Sequence, residues 1–151
     1  CSAALGMESH EISNIKSSSW QSYQGPSEGR LHFTGGFTAS QAGFNTQVYL
    51  QVYINHGRRR KVTAVAVQPT YLANSWVYSY YISYSPRGKH WYDYAEGGRT
   101  RIFSGFRDRS TAVKSVFARP VILRVIRFNP ITWSVNPALR VELYGCKGRY
   151  L

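Results

Sequence analysis

Two cysteines, Cys1 and Cys146, bracket the body of the chain and leave residues 147–151 outside the bracket. An even count with no CxxC spacing argues against a zinc site or a redox motif, so the simplest reading is one bond joining the two ends of a compact domain. In the loop-entropy description such a bridge stabilises by roughly 5 kcal/mol, less where the native geometry is strained. It implies an oxidising compartment; two unrelated buried thiols are the alternative.

A chain of 151 residues is long enough for one complete core and short for two. One domain over 1–146 and a short tail over 147–151 follow. Aromatic residues at 15%, with Tyr 12 and Phe 7, favour sheet over helix. No stretch approaches the eighteen or so apolar residues of a membrane span, so membrane contact would be peripheral. With no signal-like segment before Cys1, the chain reads as a mature or excised module whose secretion signal and neighbours would be missing.

Lys plus Arg number 19 against 7 Asp plus Glu, a net charge of +12. That excess attracts any polyanion, whether nucleic acid, sulfated glycan or anionic lipid. The disulfide compartment favours glycan and lipid over nucleic acid. No Asn-x-Ser/Thr sequon is present.

Alternating and β-branched runs separated by Gly, Pro, Ser and Asn predict strands over 48–54, 62–67, 77–85, 121–128 and 139–144. In Leu139-Arg140-Val141-Glu142-Leu143 the apolar residues share one face and Arg140 and Glu142 the other, the pattern of a half-buried strand. No window carries a capped 3.6-residue apolar stripe. An antiparallel sandwich is expected, all-β and without appreciable helix. Because its turns alternate between two ends, segments 20–29, 34–47 and 68–76 should gather at one end. The basic turns at 55–61 and 86–90 should meet at the other.

Further residues carry a resemblance. Cys1 with Leu5-Gly6-Met7-Glu8 and Ile12-Ser13 is followed by Arg30-Leu31, Tyr49-Leu50-Gln51-Val52 and Val62-Thr63-Ala64-Val65 with Gln68. Then come Ser79-Tyr80, Tyr84-Ser85, Gly88, Trp91, Phe103-Ser104-Gly105 and Pro120. Ile126-Arg127-Phe128, Pro130, Trp133 and the closing Leu139 to Cys146 complete the set. Over 1–146 the chain resembles the discoidin family, the type C domain of coagulation factors V and VIII. The resemblance implies a distorted jelly-roll β-sandwich of about eight antiparallel strands, with its termini joined by the disulfide and ligand-binding loops at the far end. The chain departs from the family in two acidic places: Tyr53 and Arg87 stand where Asp is usual. That weakens any reading requiring a carboxylate for calcium or for a basic peptide, and the aromatic expected in the second loop is read as Phe37.

Candidate ligand-binding residues are Trp20 and Tyr23 in the first loop, Phe37 and Phe44 in the second, and Tyr71 and Leu72 in the third. Large apolar side chains converging from three loops form a patch that water disfavours; each could instead brace its own loop. Asn45, Gln47, Gln68 and Asn74 could supply hydrogen bonds to a sugar stacked on the aromatic faces. Arg58-Arg59-Arg60-Lys61, with Arg87, Lys89 and His90 beside it, is either a solvated end or a heparin-like polyanion site. Arg99, Arg101, Arg107 and Arg109 form a second basic stretch whose place the pattern does not fix. Arg30, Arg127, Arg140 and Glu142 read as structural ion pairs.

No carboxylate dyad, HExxH, GxSxG or phosphate-cradling loop occurs, so no catalytic residue, metal ligand or cofactor is expected. His10 and His32 read as packed or solvent-facing. The reading is an extracellular, non-catalytic module attaching to cell surfaces through anionic phospholipid headgroups or glycans. The alternative is a protein-interaction module of an adhesion or matrix protein with a separate sulfated-polysaccharide site.

Overall fold

The computed structural model describes residues 1–20, 24–40, 47–54, 58–70 and 74–148. Runs rich in Val, Ile and Tyr form the long strands β4 (Leu50–Tyr53), β5 (Arg60–Gln68), β6 (Trp76–Ser85), β11 (Val113–Leu123), β12 (Val125–Ser134) and β13 (Ala138–Gly145). The others are short pairings: β1 (Ala3–Ala4), β2 (Ile15–Ser17), β3 (Phe37–Thr38), β7 (Tyr92–Asp93), β8 (Ala95–Glu96), β9 (Arg99–Thr100) and β10 (Phe103–Ser104). The helical element among the described residues is one 3-10 turn, Pro26–Glu28.

The strands form two facing sheets. One is five-stranded in the order β1-β13-β5-β11, with β3 also on β13. The other is six-stranded in the order β10-β6-β12-β4-β2, with β7 on β6, and β8 and β9 make a separate hairpin. Each strand-to-strand pairing is antiparallel. Leu50, Val52, Ile82, Ile126 and Phe128 from the second sheet and Val62, Val65, Leu139, Val141 and Leu143 from the first belong to one buried core. Tyr80, Phe103, Tyr94 and Phe117 extend it as an aromatic run, with centroids 5.2 Å apart for Tyr80 and Phe103 and 4.3 Å for Tyr94 and Phe117.

The expected strand over 121–128 is two strands. Leu123 ends β11 in one sheet and Val125 begins β12 in the other, so Arg124 alone carries the chain across the sandwich. Its amide donates to the Ser85 carbonyl at 3.0 Å and its carbonyl accepts from the Ile54 amide at 2.8 Å, so the corner is bonded without Gly or Pro. Pro120 is tolerated because β11 is an edge strand and its register against β5 shifts between Val116 and Val121.

β13 is buried on both faces rather than half-buried. The N-terminal segment covers its outer face, and the Glu142 carboxylate accepts from the amides of Gly6, Met7 and Glu8 at 3.3, 3.0 and 2.9 Å. Arg140 points elsewhere, donating from Nε to the Pro69 carbonyl at 2.7 Å and from Nη1 to that of Phe33. The two side chains are therefore separate clamps and not a local pair. Burial lowers the Arg140 pKa from its ordinary value. Burial also lowers that of Arg30, with the Glu142 charge opposing the shift. Arg30 donates to the carbonyls of Ser27 and Met7 at 3.0 and 2.9 Å. Arg127 lies between the Tyr49 and Trp91 rings, 4.1 and 4.2 Å from their centroids, and donates to Gln51. The three arginines are held by carbonyls, an amide side chain and aromatic faces rather than by a carboxylate at contact distance, and the Glu142 charge acts on Arg30 from farther off.

The Cys1–Cys146 disulfide joins the termini with Cα atoms 5.1 Å apart. The Cys146 amide donates to the Lys61 carbonyl at 2.9 Å, tying the bridge to the start of β5. A Cβ at Gly145 would collide with that same carbonyl, so glycine is required there.

Candidate ligand-binding loops

Strand β5 sets the two ends. It starts beside the disulfide at Arg60 and Lys61 and finishes at Gln68 opposite Arg140, roughly 25 to 30 Å away at strand rise. At the far end the loops hold one another. The Ser18 hydroxyl accepts from the Tyr49 amide at 3.1 Å, and the Ser19 hydroxyl donates to the Ser40 carbonyl at 3.4 Å. The Thr38 amide donates to the Gln24 carbonyl at 3.0 Å, and the Thr70 hydroxyl donates to that of Gly35 at 3.2 Å. The described parts of all three predicted loops thus share one surface.

Trp20 stands on it, 54% exposed. A Cβ added to Gly25 would touch the indole at 3.4 Å, so the ring lies along the glycine and is aimed outward from a fixed base. Asn74 is exposed on the same end. Phe37 corrects the sequence reading: it is 0% exposed, pairs with Leu139 and packs in the core. Burying the ring there follows from β3 docking on β13, which leaves no freedom to project. Gln68 is also committed, accepting from the His32 amide at 2.9 Å and donating to the Ser110 carbonyl at 2.7 Å. Tyr23, Phe44, Asn45, Tyr71 and Leu72 lie outside the described residues.

A fourth loop, 105–112, reaches the same end, which the sequence reading did not place. It is fixed by that Gln68 bond and by Phe106, which stacks on Trp76 at 4.6 Å with Tyr78 edge-on at 5.6 Å. Exposed Arg107 and Arg109 ride on it, with the Arg109 guanidinium 5.9 Å from the Trp76 ring centre. The signal was present in Phe106-Arg107-Asp108-Arg109, an aromatic and two arginines between Gly105 and Ser110. Val135, exposed in the adjacent turn after β12, holds a left-handed φ of 61°, an uncommon conformation for a β-branched residue.

Asp108 organises that fourth loop. Its carboxylate accepts from the amides of Ser110 and Thr111 at 3.0 and 2.8 Å and from the Thr111 hydroxyl at 2.8 Å. These bonds, the Thr111 hydroxyl first, hold its pKa down to about 2. A depressed carboxylate contributes its ordering above the ordinary Asp range and loses it as pH falls through about 2. An NMR titration should therefore place the Asp108 carboxyl midpoint near 2. Asp108→Ala should speed amide exchange at Ser110 and Thr111 while leaving the core amides unchanged; a midpoint in the ordinary Asp range discards this account.

The remaining basic stretch lies elsewhere. Arg101 bonds Glu96 at 2.8 Å, and Tyr94 donates its hydroxyl to the same carboxylate, the larger cause holding Glu96 below the usual carboxylate range. A cleft of about 520 Å³ opens there between the β8–β9 hairpin and the β11 bulge, lined by Glu96, Gly97, Gly98 and Arg119. Its carboxylate is already satisfied by Tyr94, Arg101 and the Ala118 amide, so the cleft is a weaker candidate than the loop end. Among the described residues no group of three His, Cys, Asp or Glu is placed to hold a metal. Among the described residues no helix is long and apolar enough to cross a membrane.

The F5/8 type C domain model matches residues 14–143. The chain belongs to the F5/8 type C domain family. It is 36% identical over 156 residues to coagulation factor VIII of Canis lupus familiaris, covering 97% of this chain and 6% of that protein. To coagulation factor V of Bos taurus it is 37% identical over 158 residues, covering 97% and 7%. To neuropilin-1 of Homo sapiens it is 31% identical over 155 residues, covering 97% and 16%. It therefore corresponds to a small part of each of these proteins. Among solved structures, recombinant discoidin II of Dictyostelium discoideum superposes with a TM-score of 0.81 at 21% identity, over 95% of this chain and 59% of that one. The family 32 carbohydrate-binding module of C. perfringens NanJ, solved with galactose, superposes at 0.74 with 16% identity over 95% and 99%. These two likenesses are ones of fold, and the F5/8 type C assignment agrees with the two-sheet sandwich and joined termini described above.

Proposed function

We propose that this F5/8 type C domain is an extracellular, non-catalytic recognition module that docks on cell surfaces through its loop end. Its targets are anionic phospholipid headgroups or glycans. The observation that carries the reading is Trp20, more than half-exposed on a fixed base at the end opposite the disulfide. Arg107 and Arg109 lie on that end, so an apolar tip and a cationic attractor share one surface. The family assignment supports binding over catalysis, and the disulfide supports an oxidising, extracellular setting.

Inserting the exposed part of an indole at a bilayer interface contributes about 1 to 2 kcal/mol, and each nearby cation adds about 1 kcal/mol over anionic lipid. Trp20→Ser should weaken co-sedimentation with phosphatidylserine vesicles about five- to thirty-fold, with the melting temperature unchanged. Arg107→Ser with Arg109→Ser should weaken it further at low salt. A glycan array run on the same proteins separates the targets: retained sugar binding without vesicle binding assigns the end to glycans. Full vesicle and glycan binding by Trp20→Ser removes the loop end from the recognition surface.

A further inference from the structure

The strongest concentration of charge lies at the other pole, and the loop-end reading does not use it. Three strand junctions converge there. Arg60 pairs with Leu123 across β5 and β11, and the next residue, Arg124, bonds Ser85 of β6 and Ile54 beyond β4. The Arg124 guanidinium donates to the Arg87 carbonyl at 3.2 Å, while the Ser85 hydroxyl accepts from the Gly88 amide at 2.7 Å. Arg87 and Lys89, both exposed, are therefore turned onto the same pole as Arg58 to Lys61. The disulfide adds Lys147, which with Arg60, Leu5, Ile54 and Glu11 lines a small cleft. Segments 58–61, 86–90 and 146–148 and residue 124 contain no Asp or Glu; Glu11, which lines that cleft beside Arg60, pairs with Lys147 at 3.7 Å.

We infer that this pole is a binding surface for a linear sulfated polysaccharide. The cations come from the ends of both sheets, which lie about 10 Å apart with strands about 4.8 Å apart, so they form a stripe roughly 15 to 20 Å long. A single phosphate or headgroup touches only one part of such a stripe; a chain polyanion lies along it. Counterion release then makes each contacted sulfate favourable. Between the two kinds of chain polyanion, the disulfide beside the stripe places the domain where sulfated glycans occur and nucleic acid is scarce. The strand length separating this pole from Trp20 lets both surfaces be occupied at once.

Heparin chromatography of the whole chain in a sodium chloride gradient tests this. A variant carrying Arg58→Ser, Arg59→Ser, Arg87→Ser and Lys89→Ser should elute at clearly lower salt. Its plot of log affinity against log salt should flatten by roughly three to four, about 0.7 to 0.9 for each of the four cations removed. A control losing the same charge elsewhere, with Lys16, Arg99, Lys114 and Arg119 each changed to Ser, should elute near the parent chain. Trp20→Ser should not shift at all, which keeps this outcome independent of the loop-end reading. An equal shift in the control, with both variants melting like the parent, overturns the site in favour of net charge alone. Loss of phosphatidylserine vesicle binding by the pole variant with its heparin elution unmoved assigns the pole to membranes and overturns it too.

Discussion

Glu142→Ala should cost about 3 to 5 kcal/mol of folding stability, the range for removing one partner from a buried charged network. The residue is 1% exposed, and its carboxylate accepts from the amides of Gly6, Met7, Glu8 and Leu143. Truncation leaves those amides without an acceptor, and an orphaned buried donor carries a desolvation penalty of about 1 to 3 kcal/mol. It also removes the negative charge that favours the buried Arg30 guanidinium, itself bonded to the Met7 carbonyl. Glu142→Gln keeps one acceptor oxygen and the shape, so its loss should be smaller. Urea denaturation of the parent and both variants reads this directly. Amide exchange should localise the damage to Gly6–Glu8 and then β13; a stability change under about 0.5 kcal/mol would mean water replaces the carboxylate without loss.

This clamp marks the boundary of what the sequence makes legible. The sandwich was readable because alternation and turn residues are local signals: 62–67, 77–85 and 139–144 emerge as β5, β6 and β13 with extended ends. The corner at Arg124 was not, since Val121 to Phe128 is apolar on both sides of it and the chain turns without Gly or Pro. Arg140 and Glu142, two apart on a strand, resemble a surface pair in sequence. Their actual partners, Phe33 and Pro69 for one and the 6–8 amides for the other, lie far away along the chain. Phe37 was misread for the same reason: an aromatic beside Gly35 and Gly36 has the look of a loop tip until β3 is seen docked on Leu139. Conversely, the separation of Trp20 from the Arg58 cluster followed from strand alternation alone, and the described loop ends lie as that argument placed them. The 105–112 loop escaped it because several two-residue strands intervene between β6 and β11, so parity of long strands no longer counts ends.

Removing the disulfide by Cys1→Ser with Cys146→Ser should lower stability by about 2 to 5 kcal/mol, the usual loss for a native bridge in a secreted domain. For a chain of this size that is a fall in melting temperature of roughly 5 to 20 °C. Two effects add. The bridge spans 145 residues, so the unfolded chain regains nearly all the freedom a single crosslink can withhold. In the folded state the released ends loosen the contacts they share with β5: the Cys146 amide on the Lys61 carbonyl, and the Thr63 hydroxyl on the Cys1 carbonyl. Because both lie at the basic pole, the reduced protein should fray there first, with faster exchange at Lys61 to Thr63 and at Cys146. The Trp20 end, anchored independently through Ser18, Ser19 and Gln24, should keep its exchange pattern and its vesicle binding below the new melting temperature. Equal loosening at both poles would mean that the sandwich is held as one cooperative unit and that the termini do not stabilise their own end selectively.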